Sequence, residues 1–110
     1  MKSTYNYDKL DDSLNFSSIN ELKFCLDCHS EIEFIWKGKA YAITHPDGTI
    51  NIGEAHYLKD GKAYNILIDE PYDVNSIMQF HSSDAAMKCI IGDDKLIDIT
   101  TKIKVIDRTI

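Results

Sequence analysis

Arginine is nearly missing from this chain of 110 residues: Arg108 stands alone among 12 basic side chains. The 18 acidic residues leave a net charge of −6. Nucleic-acid binders need a field of Lys and Arg to displace counterions from phosphates. A chain of this charge repels a phosphate backbone, so direct nucleic-acid binding is not expected. Long apolar runs are also missing, and nothing approaches the ~20 residues of a membrane span. The start, Met1-Lys2-Ser3-Thr4-Tyr5, carries no apolar stretch of the signal-peptide kind. Cysteine is scarce and odd in number, at Cys25, Cys28 and Cys89, which argues against a complete disulfide framework. A soluble protein in a reducing cytoplasm is the expectation.

What is present suits one globular domain. Hydrophobic residues make up 44% and charged residues 27%, close to the globular average, so wholesale disorder is not expected. At this length about two-thirds of the unfolded surface can be buried, enough for a core without disulfides or a metal. Residues 1–17 are polar and aperiodic and read as a flexible or loosely docked arm. Residues 18–110 read as a single domain.

Ser18-Ile19-Asn20-Glu21 fits a capping box, with the Ser18 hydroxyl facing the Glu21 N–H and the Glu21 carboxylate reaching back to the Ser18 N–H. A helix over about 19–28 follows, with Ile19, Leu22, Cys25, Leu26 and His29 on one face. Ile32, Phe34 and Trp36 then alternate with Glu31, Glu33, Ile35 and Lys37, as in a half-buried strand. Turns at Lys37-Gly38-Lys39, Pro46-Asp47-Gly48 and Asp60-Gly61 divide four strands into a meander, with a bulge at Gly53. The fourth strand runs through Tyr64, Ile66 and Ile68. Asp73 suits the N-cap of a short helix carrying Val74, Ile77 and Met78, and His81-Ser82-Ser83-Asp84 breaks it. A strand at Cys89-Ile90-Ile91, a helix near 94–101 capped by Asp94, and a last strand near 102–107 complete the chain. The class is α+β, with helices covering a four-strand antiparallel meander in a two-layer sandwich.

Glu21-Leu22-Lys23-Phe24-Cys25-Leu26, then Glu31-Ile32-Glu33-Phe34-Ile35-Trp36-Lys37-Gly38-Lys39, and the ending Lys104-Val105-Ile106-Asp107-Arg108-Thr109-Ile110, carry a resemblance. Over about 18–110 the chain resembles small acidic reading frames of Firmicutes and of their phages and mobile elements. No activity and no site residue comes with that resemblance. It implies a bacterial or phage setting, in which small acidic proteins are often antagonists of host defence, anti-CRISPR proteins among them.

Cys25-Leu26-Asp27-Cys28-His29 spells C-x-x-C-H, the attachment pattern of c-type haem. Against that reading, no export signal is evident and the motif sits within a well-capped helix. The same residues could form half of a zinc site with Cys89, His45, His56 or His81. Zinc sites favour a second close ligand pair, and the histidines are 16, 11 and 25 residues apart. A redox dithiol normally occupies a helix N-terminus, not the C-terminal end. The expectation is therefore no cofactor and no metal, with Cys25 packed as a small hydrophobe.

For catalysis, His45, Glu54 and His56 could approach one another across neighbouring strands and exchange protons. No phosphate loop, nucleophile elbow or H-E-x-x-H accompanies them. Two acidic groups remain, Asp69/Glu70/Asp73 and Asp93/Asp94/Asp98, neither spaced as a calcium loop. They could meet a basic groove on a larger bacterial protein or serve only as solubilising charge and caps. Trp36, Tyr41, Tyr57 and Tyr64 are core candidates, and partner anchors wherever they face water. The expected function is a non-enzymatic acidic protein-binding module, an inhibitor that covers a basic site. The alternatives are a small enzyme or ligand-binding protein built on His45, Glu54 and His56, and a metal or haem protein built on Cys25, Cys28 and His29.

Overall fold

A computed structural model describes residues 12–109. The capping box forms. The Ser18 hydroxyl accepts from the Glu21 N–H at 3.1 Å, while the Glu21 carboxylate accepts from the Ser17 N–H at 2.9 Å, one residue upstream of the expected donor. Helix α1 spans Ile19–Asp27 and buries Leu22, Cys25 and Leu26. It stops where His29 turns left-handed at φ 57°. The His29 and Ser30 N–H groups close back on the Leu26 and Cys25 carbonyls at 3.2 and 2.9 Å, a Schellman ending.

Strand β1 (Ile32–Trp36) follows and turns through Lys37 and Gly38 into β2 (Lys39–Thr44). Both turn residues have positive φ, 49° and 81°, as a type I′ hairpin requires. A single 3₁₀ turn at Pro46–Gly48 leads to β3 (Ile50–Glu54). At Ala55 the chain leaves the sheet and starts β4 (His56–Lys59), which pairs through the Asp60-Gly61 turn with β5 (Lys62–Asn65), then β6 (Pro71–Tyr72). After a 3₁₀ turn at Val74–Ser76, β7 (Met78–Phe80) returns beside β3. Helix α2 (Ser83–Ala86), the small hairpin β8 (Ile90–Ile91) and β9 (Asp94–Lys95), helix α3 (Leu96–Ile99) and β10 (Lys104–Arg108) complete the chain.

The α+β class holds, and the sheet is antiparallel with strand order β10-β1-β2-β3-β7. One face is the core: Leu22, Leu26, Phe34, Ile43, Ile52 and Leu96 belong to a single buried cluster joining the helices to the sheet. Fully burying each such side chain contributes about 1.5–3 kcal/mol.

Several details depart from the sequence reading, the helix near 94–101 among them, which is shortened to Leu96–Ile99. The meander parts at Ala55, so β4–β5–β6 form a second sheet. Its fourth strand ends at Asn65, leaving Ile66 and Ile68 outside it. The stretch carrying Val74, Ile77 and Met78 is one 3₁₀ turn plus an edge strand, although Asp73 does cap it, accepting from the Asn75 N–H. Ser82 starts a helix instead of ending one, its hydroxyl accepting from the Ala85 N–H at 3.1 Å.

Of the expected arm 1–17, residues 1–11 lie outside the described residues, as does Ile110. Residues 12–17 run along β10. Phe16 is buried beneath the Arg108 guanidinium, 4.7 Å from its ring. The Val105 N–H donates to the Asn15 side chain at 2.8 Å. That contact occupies a sheet edge that would otherwise offer unpaired backbone groups. No described helix is long and apolar enough to cross a membrane.

Candidate functional site

Side chains alternate between the faces of a strand. Burying Ile32 and Phe34 under the helices therefore sends Glu33 to the opposite face. Register extends that placement across the sheet: Glu33 lies beside Asp107 of β10 and Ala42 of β2, and Ala42 beside Gly53 of β3. A second row on the same face runs Thr44, Asn51, Gln79. This face is polar and acidic, with small residues at Ala42 and Gly53.

The second sheet leans over one side of it. Tyr72 lies so close to Gly53 that an added Cβ there would stand 2.4 Å from the Tyr72 hydroxyl and 2.9 Å from Ile77. The result is a half-open cleft of about 330 Å³ lined by Glu33, Ala42, Thr44, Asn51, Gly53 and His56, with Ala55, Ile66 and Ile77 on its apolar side. This volume is in the range that takes a small ligand or one large side chain. No lysine or arginine lines it.

Burial pushes the Glu33 carboxyl above the usual carboxylate range, and the negative charge of Asp107 adds to the rise. Among the described residues no donor or cation pairs with Glu33. His56 holds its Nδ1 3.0 Å from the Glu54 carbonyl. A carbonyl only accepts, so Nδ1 carries a proton and donates to it. The ring is backed by Tyr72, with centroids 5.4 Å apart. The cleft thus offers a carboxylate over a flat floor.

Gly53 and Tyr72 also set a test. Gly53→Ala should cost about 1–3 kcal/mol, because the methyl overpacks the seam. The Tyr72 hydroxyl is buried without a hydrogen-bond partner among the described residues, so Tyr72→Phe should be near neutral or stabilising. In the double variant the added methyl meets no hydroxyl, and the combined cost in urea denaturation should fall below that of Gly53→Ala alone.

Glu54 and His56 both line this cleft, but His45 lies elsewhere. Its ring nitrogens sit 3.1 Å from the Thr49 carbonyl and 2.8 Å from the Ser30 carbonyl, tying the β2–β3 turn to the end of α1. His29 stacks on it at 5.0 Å. The Glu54 carboxylate is engaged too, accepting from the Asn65 amide at 2.9 Å. The three residues expected to form one group serve two places in the fold.

The acidic groups are similarly divided. Asp69 accepts from the Tyr57 hydroxyl at 2.7 Å, a bond that pushes the Tyr57 phenol up to about 12. Asp73 is a cap. Asp94 was expected to cap α3; instead Lys95 holds that position and Asp94 accepts from Trp36 Nε1 at 3.0 Å and pairs with Lys37 at 2.8 Å. Both partners hold the Asp94 carboxyl below its usual range. Glu70, Asp93 and Asp98 are exposed. Half of the expected binding carboxylates are therefore occupied by local structure.

Cys25 is buried while Cys28 and His29 are exposed at the helix end. Burial raises the Cys25 thiol. Among the described residues no group of three or more His, Cys, Asp or Glu side chains is arranged to hold a metal.

Sequence reasoning did not single out Glu33. The available signal was the alternation that placed Glu31 and Glu33 opposite Ile32 and Phe34, facing a neighbouring strand with alanine at 40 and 42. No protein-family model, no curated protein and no solved structure matches this chain.

Proposed function

We propose that this domain is a non-enzymatic binding module that takes a basic segment of a partner protein onto the open face of its five-stranded sheet. The observation that carries the reading is Glu33: a partly desolvated carboxylate on the cleft floor that no cation pairs with among the described residues. A carboxylate so placed is relieved when a cation arrives, because the approaching charge compensates for lost water. Asp107 beside it deepens the negative field. An inhibitor that covers a basic site on a larger bacterial protein would use this face, in place of the two Asp/Glu groups. Binding is favoured over catalysis because His45 is held away from Glu54 and His56.

Nuclear magnetic resonance titration of the isotopically labelled chain with short Lys/Arg-bearing peptides tests this reading. Amide shifts should centre on β1, β2 and β3 around Glu33, Ala42 and Gly53, and should weaken as salt rises. Shifts confined to Asp93 and Asp98, or indifferent to salt, would overturn it.

A further inference from the structure

We infer that the side chain seated in the cleft is an arginine of a different protein. The inference rests on the docking role proposed above and narrows its chemistry.

Three features favour a guanidinium. The first is the balance of hydrogen-bonding groups. Glu33 supplies two acceptor oxygens to which no described residue donates, and the Thr44 and Asn51 side chains beside it add further oxygens. A guanidinium has five N–H donors in a planar fork and no acceptor, whereas an ammonium has three donors around one point. The second is shape. Ala42 and Gly53 leave a floor without bulky side chains, and the His56 ring forms a wall steadied by Tyr72. A planar cation can lie on that floor and stack against the ring. The third is hydration. Glu33 is half-buried, and arginine gives up water more readily than lysine.

The chain cannot supply this group to a second copy of itself. Its one arginine, Arg108, is covered by the Phe16 ring and paired with Glu21 at 3.5 Å, with only 17% of its side chain exposed. The occupant is therefore a partner of opposite charge that presents an accessible arginine.

The test titrates the full chain with a short Gly/Ser peptide carrying one arginine, and with its lysine and citrulline counterparts. The arginine peptide should move the amide signals of Ala42, Gly53 and His56 saturably, about fivefold more tightly than the lysine peptide. The citrulline peptide, equal in shape but uncharged, should leave them in place. Glu33→Gln should weaken the arginine peptide about tenfold while the other amide signals keep their positions. Equal affinity for lysine and arginine would overturn the inference and leave the basic-docking reading standing. Binding of citrulline as tight as arginine would overturn both, as would no shift at the cleft with either cationic peptide.

Discussion

Asn65→Asp should cost about 2–4 kcal/mol, a sizeable share of the roughly 5–15 kcal/mol that holds a domain of this kind folded. Asn65 is fully buried and uses its whole amide. Its oxygen accepts from the Ala40 N–H at 3.3 Å and the Leu67 N–H at 2.9 Å. Its nitrogen donates to the Ala40 carbonyl and the Glu54 carboxylate, both at 2.9 Å. The side chain thus imitates a peptide group, pairing with Ala40 beside the point where β3 gives way to β4. Aspartate is nearly isosteric, so packing is kept while both donors are lost. The Ala40 carbonyl keeps the Ala55 N–H at 3.0 Å, while the Glu54 carboxylate loses a donor and meets a second negative charge, a loss of about 1–3 kcal/mol with the repulsion added to it. Urea denaturation should show the loss directly. Amide hydrogen exchange should quicken first in β4 and β5, because Asn65 fastens that sheet to the main one. An unchanged urea midpoint would show that the amide is not what joins the sheets. Asn65→Ala should cost no less, since it also leaves the Ala40 and Leu67 N–H groups without their acceptor.

That dependence on one amide explains which parts of the fold were legible in the sequence. Local rules were enough for α1, whose Ser18 and Glu21 cap it within four residues, and for the turns at Lys37-Gly38 and Asp60-Gly61, where positive φ at both positions follows from the hairpin type. The parting at Ala55 was not legible. It involves Asn65 bonding to Ala40, 25 residues away; the one local sign, Gly53, suggests a bulge, yet β3 keeps an unbroken register with β2 through Glu54. Val74, Ile77 and Met78 have helical spacing, yet Met78 is drawn into pairing with Ile52, so a tertiary strand overrides the local period. Ser82-Ser83-Asp84 was ambiguous by nature, because the residues that stop one helix also start the next. The site followed the same division. Alternation alone assigned Glu33 a face, but the cleft over it exists only because Tyr72 reaches Gly53 from the second sheet.

Glu33→Gln should make the protein more stable at about pH 7 and a poorer binder at the same pH. The two effects have one cause. In the unfolded chain Glu33 titrates near its ordinary value of about 4.3. In the folded chain burial, and Asp107 after it, hold the carboxyl above that value. Below the ordinary value both states carry the proton and Glu33 opposes nothing. Above the raised value the folded state must hold a poorly hydrated carboxylate that the unfolded state keeps in water. Between those limits the folded state binds more protons, so this group's contribution to stability falls as pH rises. Glutamine does not titrate, and the variant should melt higher than the parent at about pH 7 while matching it at about pH 3. A purely structural carboxylate would behave otherwise: one held by partners has a lowered value, and its loss destabilises at neutral pH. A destabilising charge that no described residue pairs with fits a group kept for something that binds it, as stability is commonly given up where function needs strain. Thermal melts of parent and variant at the two pH values, beside the peptide titration, separate these cases. If Glu33→Gln lowers the melting temperature at neutral pH, the carboxylate belongs to the fold, and the cleft loses its claim to be a docking site.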